Sequence, residues 1–169
     1  MLATTVYTLV SQQRVLPKYR NALVLSSMVT FIAGYHYLRI FDSYKHATAE
    51  GTFNVATDVN ASSLAFNEGY RYVDWILTVP LLLVEVIAVL ALAKEASKSL
   101  ITRLVPASAA MIALGYPGET SSDQGEKIMW GVLSTIPFLY ILYVLFVELG
   151  KSLDRQPEGV AATIGRLRL

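Results

Sequence analysis

The chain has 169 residues, of which 54% are hydrophobic and 16% are charged, and its formal net charge is +1 at pH 7. A mean hydropathy of +0.46 lies outside the usual range of soluble domains and indicates a polytopic membrane protein. The absence of cysteine excludes disulfides, thiolate catalysis and cysteine-ligated metal centres, and the balanced charge gives no reason to expect a nucleic-acid partner.

Apolar segments predict the helices in chain order. Residues 1–12 are too short to span a membrane and are expected to be the end of a helix. Residues 159–169 turn apolar again, as at the start of another helix. Between them lie four segments that each approach the ~20 residues of a spanning helix, at residues 20–42, 69–93, 98–116 and 127–150. The predicted fold is an all-α membrane helix bundle in a single domain.

Positive charge is unevenly distributed between the two sets of connections. Ten of the 14 Lys and Arg residues lie in the set that includes the loop before residue 20, and two lie in the other set. The first set is therefore expected to be cytoplasmic. Residues 43–68 form the longest connection, expected outside, and alternating β-branched and polar residues after Gly51 suggest a short hairpin there. Tyr116-Pro117-Gly118 is expected to end the span at 98–116.

The span at 69–93 carries ionisable side chains at membrane depth. Charged side chains are costly there and usually mark an ion pathway. Asp74 and Glu85 are eleven residues apart, so they return to within about 20° of one helix face and stand about 16 Å apart along it. This spacing suggests two stations on a proton path.

Asp74 is the first candidate site residue. Arg71 precedes it by three residues and Thr78 follows it by four, so a cation, a carboxylate and a hydroxyl donor share one face. Such a group can hold a buried negative charge and accept a proton. The alternative is a structural ion pair that ties helices together.

Glu85 and His36 are the other titratable candidates. Apolar neighbours surround Glu85, and desolvation favours the neutral acid, which can donate a proton; the alternative is an interhelical hydrogen bond or a snorkelling side chain. His36 lies at a depth comparable with Asp74 and could pair with it, or could be a packing residue. With His46 as the only other histidine, no metal site is expected.

These motifs closely resemble the microbial rhodopsins, and among them the proteorhodopsin and xanthorhodopsin group. The resemblance covers nearly the whole chain and implies a seven-helix fold, of which the chain holds the end of helix one, helices two to five and the start of helix six. It implies that Asp74 is the counterion and proton acceptor, that Glu85 is the proton donor, and that His36, Arg71 and Thr78 are partners of the counterion.

The same resemblance implies a pocket for all-trans retinal. Its lining residues would be Trp75, Thr78, Leu82, Met111, Gly115, Ser134, Thr135 and Phe138. Leucine at position 82 is associated with green absorption. Gly131 replaces a large aromatic residue, and in xanthorhodopsin-like proteins that gap accepts a carotenoid antenna; close helix packing is the alternative explanation.

The chain departs from the family at the retinal linkage. The family holds retinal through a lysine on helix seven, whereas the lysines here, at positions 18, 45, 94, 98, 127 and 151, all lie in loops or near span ends. No Schiff-base lysine is therefore expected in this chain. The chain alone is expected to be inactive, as an incomplete sequence of a full pump would be.

The predicted function is that of a light-driven outward proton pump, represented here by a fragment. A sensory photoreceptor is one alternative, although sensors often lack the carboxylate donor, and a helical remnant that acts through a partner chain is another. A membrane enzyme is disfavoured because the sequence offers no nucleophile and base pair. The expected setting is the plasma membrane of a bacterium, with a homo-oligomer as the expected assembly.

Overall fold

The computed structural model describes residues 1–49 and 69–153, and it describes side chains within residues 1–45 and 69–147. Two 3₁₀ turns, Ser11–Arg14 and Pro17–Tyr19, join the first two helices. The α-helices of the described residues are α1 (Leu2–Val10), α2 (Arg20–Ala49), α3 (Gly69–Leu90), α4 (Lys94–Thr120) and α5 (Gln124–Leu153). The described part of the chain contains no strand, so the predicted all-α fold is confirmed for it.

Four of these helices, α2 to α5, are long and apolar enough to cross a membrane. Successive helices pack against one another, so α2 contacts both α1 and α3, and α4 contacts both α3 and α5. The connection between α3 and α4 is short and includes Ala91, whose φ of 47° is the only positive value at a non-glycine residue of the described chain. Short connections make consecutive helices antiparallel neighbours.

Helix α4 is longer than the predicted span at 98–116, because it begins at Lys94 and continues to Thr120. Tyr116-Pro117-Gly118 therefore does not end it, and that expectation was wrong. A proline removes one main-chain hydrogen bond, but the following turn is held by the Ser121 N–H, which donates to the Pro117 carbonyl at 3.0 Å. The Thr120 hydroxyl adds a bond to the Tyr116 carbonyl at 3.2 Å. Helices also contain proline at positions 80, 106 and 137.

Two other predicted boundaries can be compared only in part. Helix α2 continues to Ala49, past the predicted end at residue 42, so the connection begins later than expected. The rest of that connection, including the predicted hairpin, lies outside the described residues. The predicted helix start at 159–169 lies outside them as well.

A cluster of buried aliphatic side chains joins α3, α4 and α5 at one end of the bundle. The cluster consists of Leu83, Ile87, Leu100, Leu104, Ile141 and Val144. Lipid tails are as apolar as these side chains, so the cluster stabilises the bundle by close packing more than by the exclusion of water. It holds the three helices together on the side that the charge distribution predicts to be cytoplasmic.

Near the opposite end of the bundle, Gly118 allows α4 and α5 to approach closely. A Cβ atom built on Gly118 would lie 2.9 Å from the Cβ of Trp130 and 3.5 Å from the carbonyl oxygen of Lys127. Two carbon atoms do not approach that closely without displacement of one helix. Gly131, on α5, differs, because a Cβ atom there meets no described atom within 4 Å.

These two glycines give a matched test of the packing. Gly118→Ala is expected to lower the free energy of unfolding by about 1–3 kcal/mol, the usual cost of overpacking. Gly131→Ala is expected to leave it unchanged or raise it by up to about 1 kcal/mol, because alanine has the higher helix propensity. Unfolding in mixed dodecyl maltoside and dodecyl sulfate micelles measures both values. Equal effects of the two substitutions would contradict the close approach at Gly118.

Candidate functional site

Helix α3 carries the centre of the candidate site. Its buried residues are Asp74, Thr78, Leu83, Ile87 and Leu90. At 100° per residue, Asp74 and Thr78 share one face of the helix, and the three aliphatic residues share the opposite face. Asp74 exposes 4% of its surface. A carboxylate so deeply buried in an apolar helix needs either a charged partner or a functional reason.

His36 of α2 is the described charge partner of Asp74. Its Nδ1 atom lies 3.5 Å from Oδ1 of Asp74 and 3.0 Å from the main-chain carbonyl oxygen of Ile32. A carbonyl oxygen only accepts hydrogen bonds, so this contact requires a proton on Nδ1. The same nitrogen atom is therefore close to both the Ile32 carbonyl and the Asp74 carboxylate.

Asp74 retains an unused acceptor. Its Oδ1 atom is buried and accepts no hydrogen bond from any described residue, because the His36 ring is too distant to donate one well. Leaving a buried acceptor unpaired usually costs about 1–3 kcal/mol, and more when the group is charged. The carboxylate is therefore suited to accept a proton or an N–H group from a further partner.

The predicted grouping of Arg71, Asp74 and Thr78 is only partly what the structure contains. Thr78 is buried, but its hydroxyl donates to the main-chain carbonyl of Asp74 at 2.8 Å rather than to the carboxylate. Threonine within a helix commonly bonds back to the preceding turn in this way. Arg71 extends to α4, where its Nη2 atom donates to Oε1 of Glu119 at 3.0 Å, and its guanidinium also lies 5.9 Å from the ring of Trp75.

Glu85, on the same helix, is only partly buried. Ser26 of α2 lies near its carboxyl group, but the described side chains donate no hydrogen bond to it. The interhelical hydrogen bond considered as an alternative for Glu85 therefore stays a prediction.

Three of the residues assigned to the retinal pocket come together between α4 and α5. The hydroxyl of Ser134 donates to the main-chain carbonyl of Met111 at 2.8 Å, and a Cβ atom on Gly115 would lie 3.5 Å from the same hydroxyl oxygen. Tyr72 lies on the same glycine, and its hydroxyl is 3.5 Å from the Gly115 carbonyl oxygen. Tyr72 in turn packs against Trp75, with ring centroids 5.3 Å apart.

The other assigned pocket residues are not gathered into a closed cavity by the described helices. Trp75, Leu82 and Phe138 each expose 39% to 44% of their surface, and the hydroxyl of Thr135 donates to the carbonyl of Gly131 in its own helix at 2.7 Å. The open space beside Gly131 does not favour close helix packing as the reason for that glycine.

The described structure also locates most of the lysines and a lateral groove. Five lysines have described side chains, and all are exposed near helix ends: Lys18, Lys45, Lys94, Lys98 and Lys127. The side chain of Lys151 lies outside the described part.

A groove of about 400 Å³ lies between α3 and α4, and its lining includes none of the predicted site residues. No group of three metal-ligating side chains occurs among the described residues.

Sequence reasoning missed Tyr72 and Glu119 as neighbours of the site. Glu119 directly follows Tyr116-Pro117-Gly118, where the span was expected to end, so it was expected to lie in a connection. It lies instead in the last turn of α4.

Comparison with known proteins identifies the family. The sequence model of the bacteriorhodopsin-like protein family matches residues 1–169. The chain belongs to this family. A green-light absorbing proteorhodopsin from a gamma-proteobacterium is 32% identical over 154 residues, which are 90% of this chain and 54% of that protein. A bacteriorhodopsin from Halobacterium salinarum is 38% identical over 98 residues, which are 58% of this chain and 36% of that one.

Solved structures of the family share the fold. Xanthorhodopsin, described as a light-driven ion pump with dual chromophore, is 42% identical with a TM-score of 0.82, over 98% of this chain and 66% of that one. A thermophilic rhodopsin is 43% identical with a TM-score of 0.84, over 99% and 66% respectively. The chain spans about half the length of the curated relatives it matches. It is a multi-pass membrane protein with part of the microbial rhodopsin bundle.

Replacing Asp74 tests whether its unpaired acceptor atom lowers the free energy of unfolding. Asp74→Asn removes a buried charge while keeping the shape of the side chain, so the free energy of unfolding is expected to rise by about 1–3 kcal/mol at neutral pH. Unfolding in mixed micelles measures the change. Asp42→Asn, at an exposed carboxylate of α2, serves as the control and is expected to have little effect. A loss of stability in Asp74→Asn would indicate that other groups of the chain compensate the charge.

Proposed function

We propose that this chain is the larger part of a light-driven outward proton pump that carries retinal. The observation that carries the proposal is the buried Asp74 carboxylate, which has an unused acceptor atom beside His36 and shares its helix with Glu85. Two carboxyl groups at different depths of one membrane helix can serve as successive proton carriers. The family membership and the light-driven ion pump among its solved relatives support the same function.

The residues present are compatible with retinal. Oδ1 of Asp74 accepts no hydrogen bond from the described residues, so it would hold the N–H group through which retinal would be linked. Retinal, when bound, supplies the light-driven change in proton affinity at that nitrogen. Because the described lysines are exposed near helix ends, we propose that the linking lysine comes from a further segment of the protein. The residues that would surround the polyene are Trp75, Thr78, Leu82, Met111, Gly115, Ser134, Thr135 and Phe138.

In this proposal Asp74 is the proton acceptor and His36 is its positioning partner. The Nδ1–H group of His36 is held by the Ile32 carbonyl, and its nitrogen atom lies 3.5 Å from Oδ1 of the carboxylate. A proton taken up by Asp74 neutralises a charge that the apolar surroundings disfavour. Arg71 forms its ion pair with Glu119 of α4.

Glu85 is proposed as the proton donor from the opposite side. Its apolar neighbours favour the neutral carboxyl group, which can release a proton when a base comes within reach. Ser26 of α2 lies near this carboxyl group. The excess of Lys and Arg in one set of connections puts Glu85 nearer the cytoplasm than Asp74, so transfer from donor to acceptor is outward. A sensor would not need the donor, and Glu85 therefore favours the pump.

The pump is tested with a chimera, in which this chain is fused to the parts of the xanthorhodopsin chain outside the matched region. Illumination of unbuffered cells that express the chimera and contain retinal is expected to acidify the medium. Asp74→Asn is expected to abolish the signal, since the acceptor is lost. Glu85→Gln is expected to slow turnover by about 10²-fold, the usual contribution of a positioned general acid.

Two exposed carboxylates provide controls for this experiment. Asp42→Asn and Glu95→Gln remove charge at exposed positions and are expected to leave the light-driven signal intact. A coloured chimera that does not acidify the medium would contradict the pump and favour the sensory alternative. Acidification that persists in Asp74→Asn would contradict the acceptor role.

We further propose that the protein accepts a carotenoid antenna at Gly131. The open space at this glycine supports the proposal, as does the dual chromophore described for xanthorhodopsin. Proteobacterial relatives support the plasma membrane of a bacterium as the location.

The antenna is tested by adding a membrane carotenoid to the chimera and measuring how well light absorbed by the carotenoid drives acidification. Gly131→Trp fills the gap and is expected to abolish that contribution while leaving direct excitation of retinal effective. Val132→Trp, at the adjacent exposed position, is the matched control and should retain the antenna. An equal loss in both variants, or none in either, would argue against Gly131 as the docking point.

A further inference from the structure

Four hydroxyl side chains join α1 to α2. The Ser27 hydroxyl of α2 lies 2.7 Å from the Thr8 hydroxyl of α1, and the Thr30 hydroxyl lies 2.8 Å from that of Thr5. Each step of three residues along α2 is matched by three residues in the reverse direction along α1. These four residues form a hydroxyl interface with one antiparallel register, in which Thr5, Thr8 and Ser27 are each 8% exposed or less.

The hydroxyls of this interface also lie close to main-chain carbonyls of their own helices. Ser27 is 2.7 Å from the Leu23 carbonyl, and Thr8 is 2.8 Å from the Thr4 carbonyl. A hydroxyl has one proton to donate, so whichever of the two donates across the interface, the other donates within its own helix. The contact between the helices is therefore bonded in either arrangement, and lipid offers no replacement for it.

The contact with α1 continues along α2 to Gly34. A Cβ atom on Gly34 would lie 3.6 Å from Cδ2 of Leu2, so α1 lies against the main chain of α2 there. Ser27, Thr30 and Gly34 follow the steps of three and four residues that keep one face of a helix toward a neighbour. Helix α1 thus holds one face of α2 up to two residues before His36.

His36 lies on the opposite face of α2. It is nine residues from Ser27, which at 100° per residue is half a turn away around the helix. Its Nδ1 atom is 3.0 Å from the Ile32 carbonyl of the same helix, whereas the 3.5 Å contact with Oδ1 of Asp74 crosses to α3. A rotation of α2 about its axis therefore preserves the first contact and changes the second.

A small rotation is enough to separate the imidazole from the carboxylate. A side-chain tip stands about 6 Å from the helix axis, so a rotation of about 20° moves it by about 2 Å. A contact that starts at 3.5 Å then lies beyond hydrogen-bond range. On the α3 side, Arg39 lies 3.4 Å from the Tyr70 hydroxyl, but this contact is exposed and long, so it constrains the rotation less than the buried hydroxyl interface does.

We propose that Thr5 and Thr8 are positioning residues for His36. Their hydroxyl contacts with α2 fix the rotation of that helix and so hold the imidazole beside the carboxylate of Asp74. Both threonines lie on α1, whereas the imidazole faces α3, so the effect passes through the body of α2. The consequence for proton transfer rests on the proposed function, but the geometry that α1 imposes does not.

The test measures the distance between His36 and Asp74 in the full chain, in lipid bilayers without retinal. The protein carries ¹⁵N in the histidine imidazole and ¹³C in the side-chain carboxyl group of aspartate, and His46→Gln leaves His36 as the one labelled histidine. Solid-state nuclear magnetic resonance measures the dipolar coupling between Nδ1 and the carboxyl carbon. The signal is assigned by its loss in Asp74→Ala.

Thr5→Val combined with Thr8→Val keeps the shape of both side chains and removes both hydroxyls. The coupling decreases with the cube of the distance, so a displacement of about 2 Å is expected to weaken it about 1.5-fold to 3-fold, according to its direction. The ¹⁵N shift of Nδ1 is expected to remain that of a protonated nitrogen, because Ile32 rotates together with His36. A general loss of structure would change both quantities.

Conservative and neighbouring variants separate positioning from a change in packing. Thr5→Ser combined with Thr8→Ser keeps both hydroxyls and is expected to retain the coupling. Thr4→Val, at an exposed position of α1, is expected to leave it unchanged. Ser27→Ala breaks one contact from the α2 side and is expected to weaken the coupling. Circular dichroism checks helix content, and if the double valine variant has lost helix, Ser27→Ala decides the test.

The outcomes distinguish this inference from the proposed function. A coupling of unchanged strength in the double valine variant, or in Ser27→Ala where that variant decides, would overturn the inference. Equal losses in the valine and serine variants would assign the effect to packing and overturn it as well, as would the absence of any coupling in the unmodified chain. None of these measurements involves pumping, so a chimera that fails to acidify the medium would leave them unchanged and would count against the proposed function alone.

Discussion

The central constraint on this structure is the burial of a carboxylate within an apolar helix. Asp74 is almost completely buried, and water cannot solvate it there. The one ionisable neighbour of Asp74 among the described residues is the His36 ring of α2. Its distance from Oδ1 leaves that oxygen atom without a hydrogen bond. A chain selected for stability alone would replace or pair this group more completely. The incomplete compensation is what makes Asp74 a candidate for chemistry.

Helix α2 connects Asp74 to the rest of the bundle. It carries His36, the partner of Asp74, on one side and the hydroxyl contacts with α1 on another. The aliphatic cluster of α3, α4 and α5 holds the other face of α3 by packing. Helix α3 is thus held by polar contacts on one side and by apolar packing on the other, and its two carboxyl groups lie on the polar side.

Much of the fold could be predicted from hydropathy alone, because each spanning helix must satisfy its own main-chain hydrogen bonds in lipid. Asp74, Glu85 and His36 stood out because charged or titratable groups at membrane depth are rare. The end of α4 was missed because Pro117 and Gly118 break helices in water more often than in a bundle. The partner of Arg71 was missed because it comes from another helix, and a glutamate near a helix end resembles many others.

Pro80 lies on α3 between Asp74 and Glu85. Having no N–H group, it cannot donate to the carbonyl of Ile76 one turn earlier, and a helix with a missing bond bends more readily than an intact one. The two carboxylates therefore belong to two mechanically distinct halves of one helix. A small change in the bend between these halves alters the distance between Asp74 and Glu85.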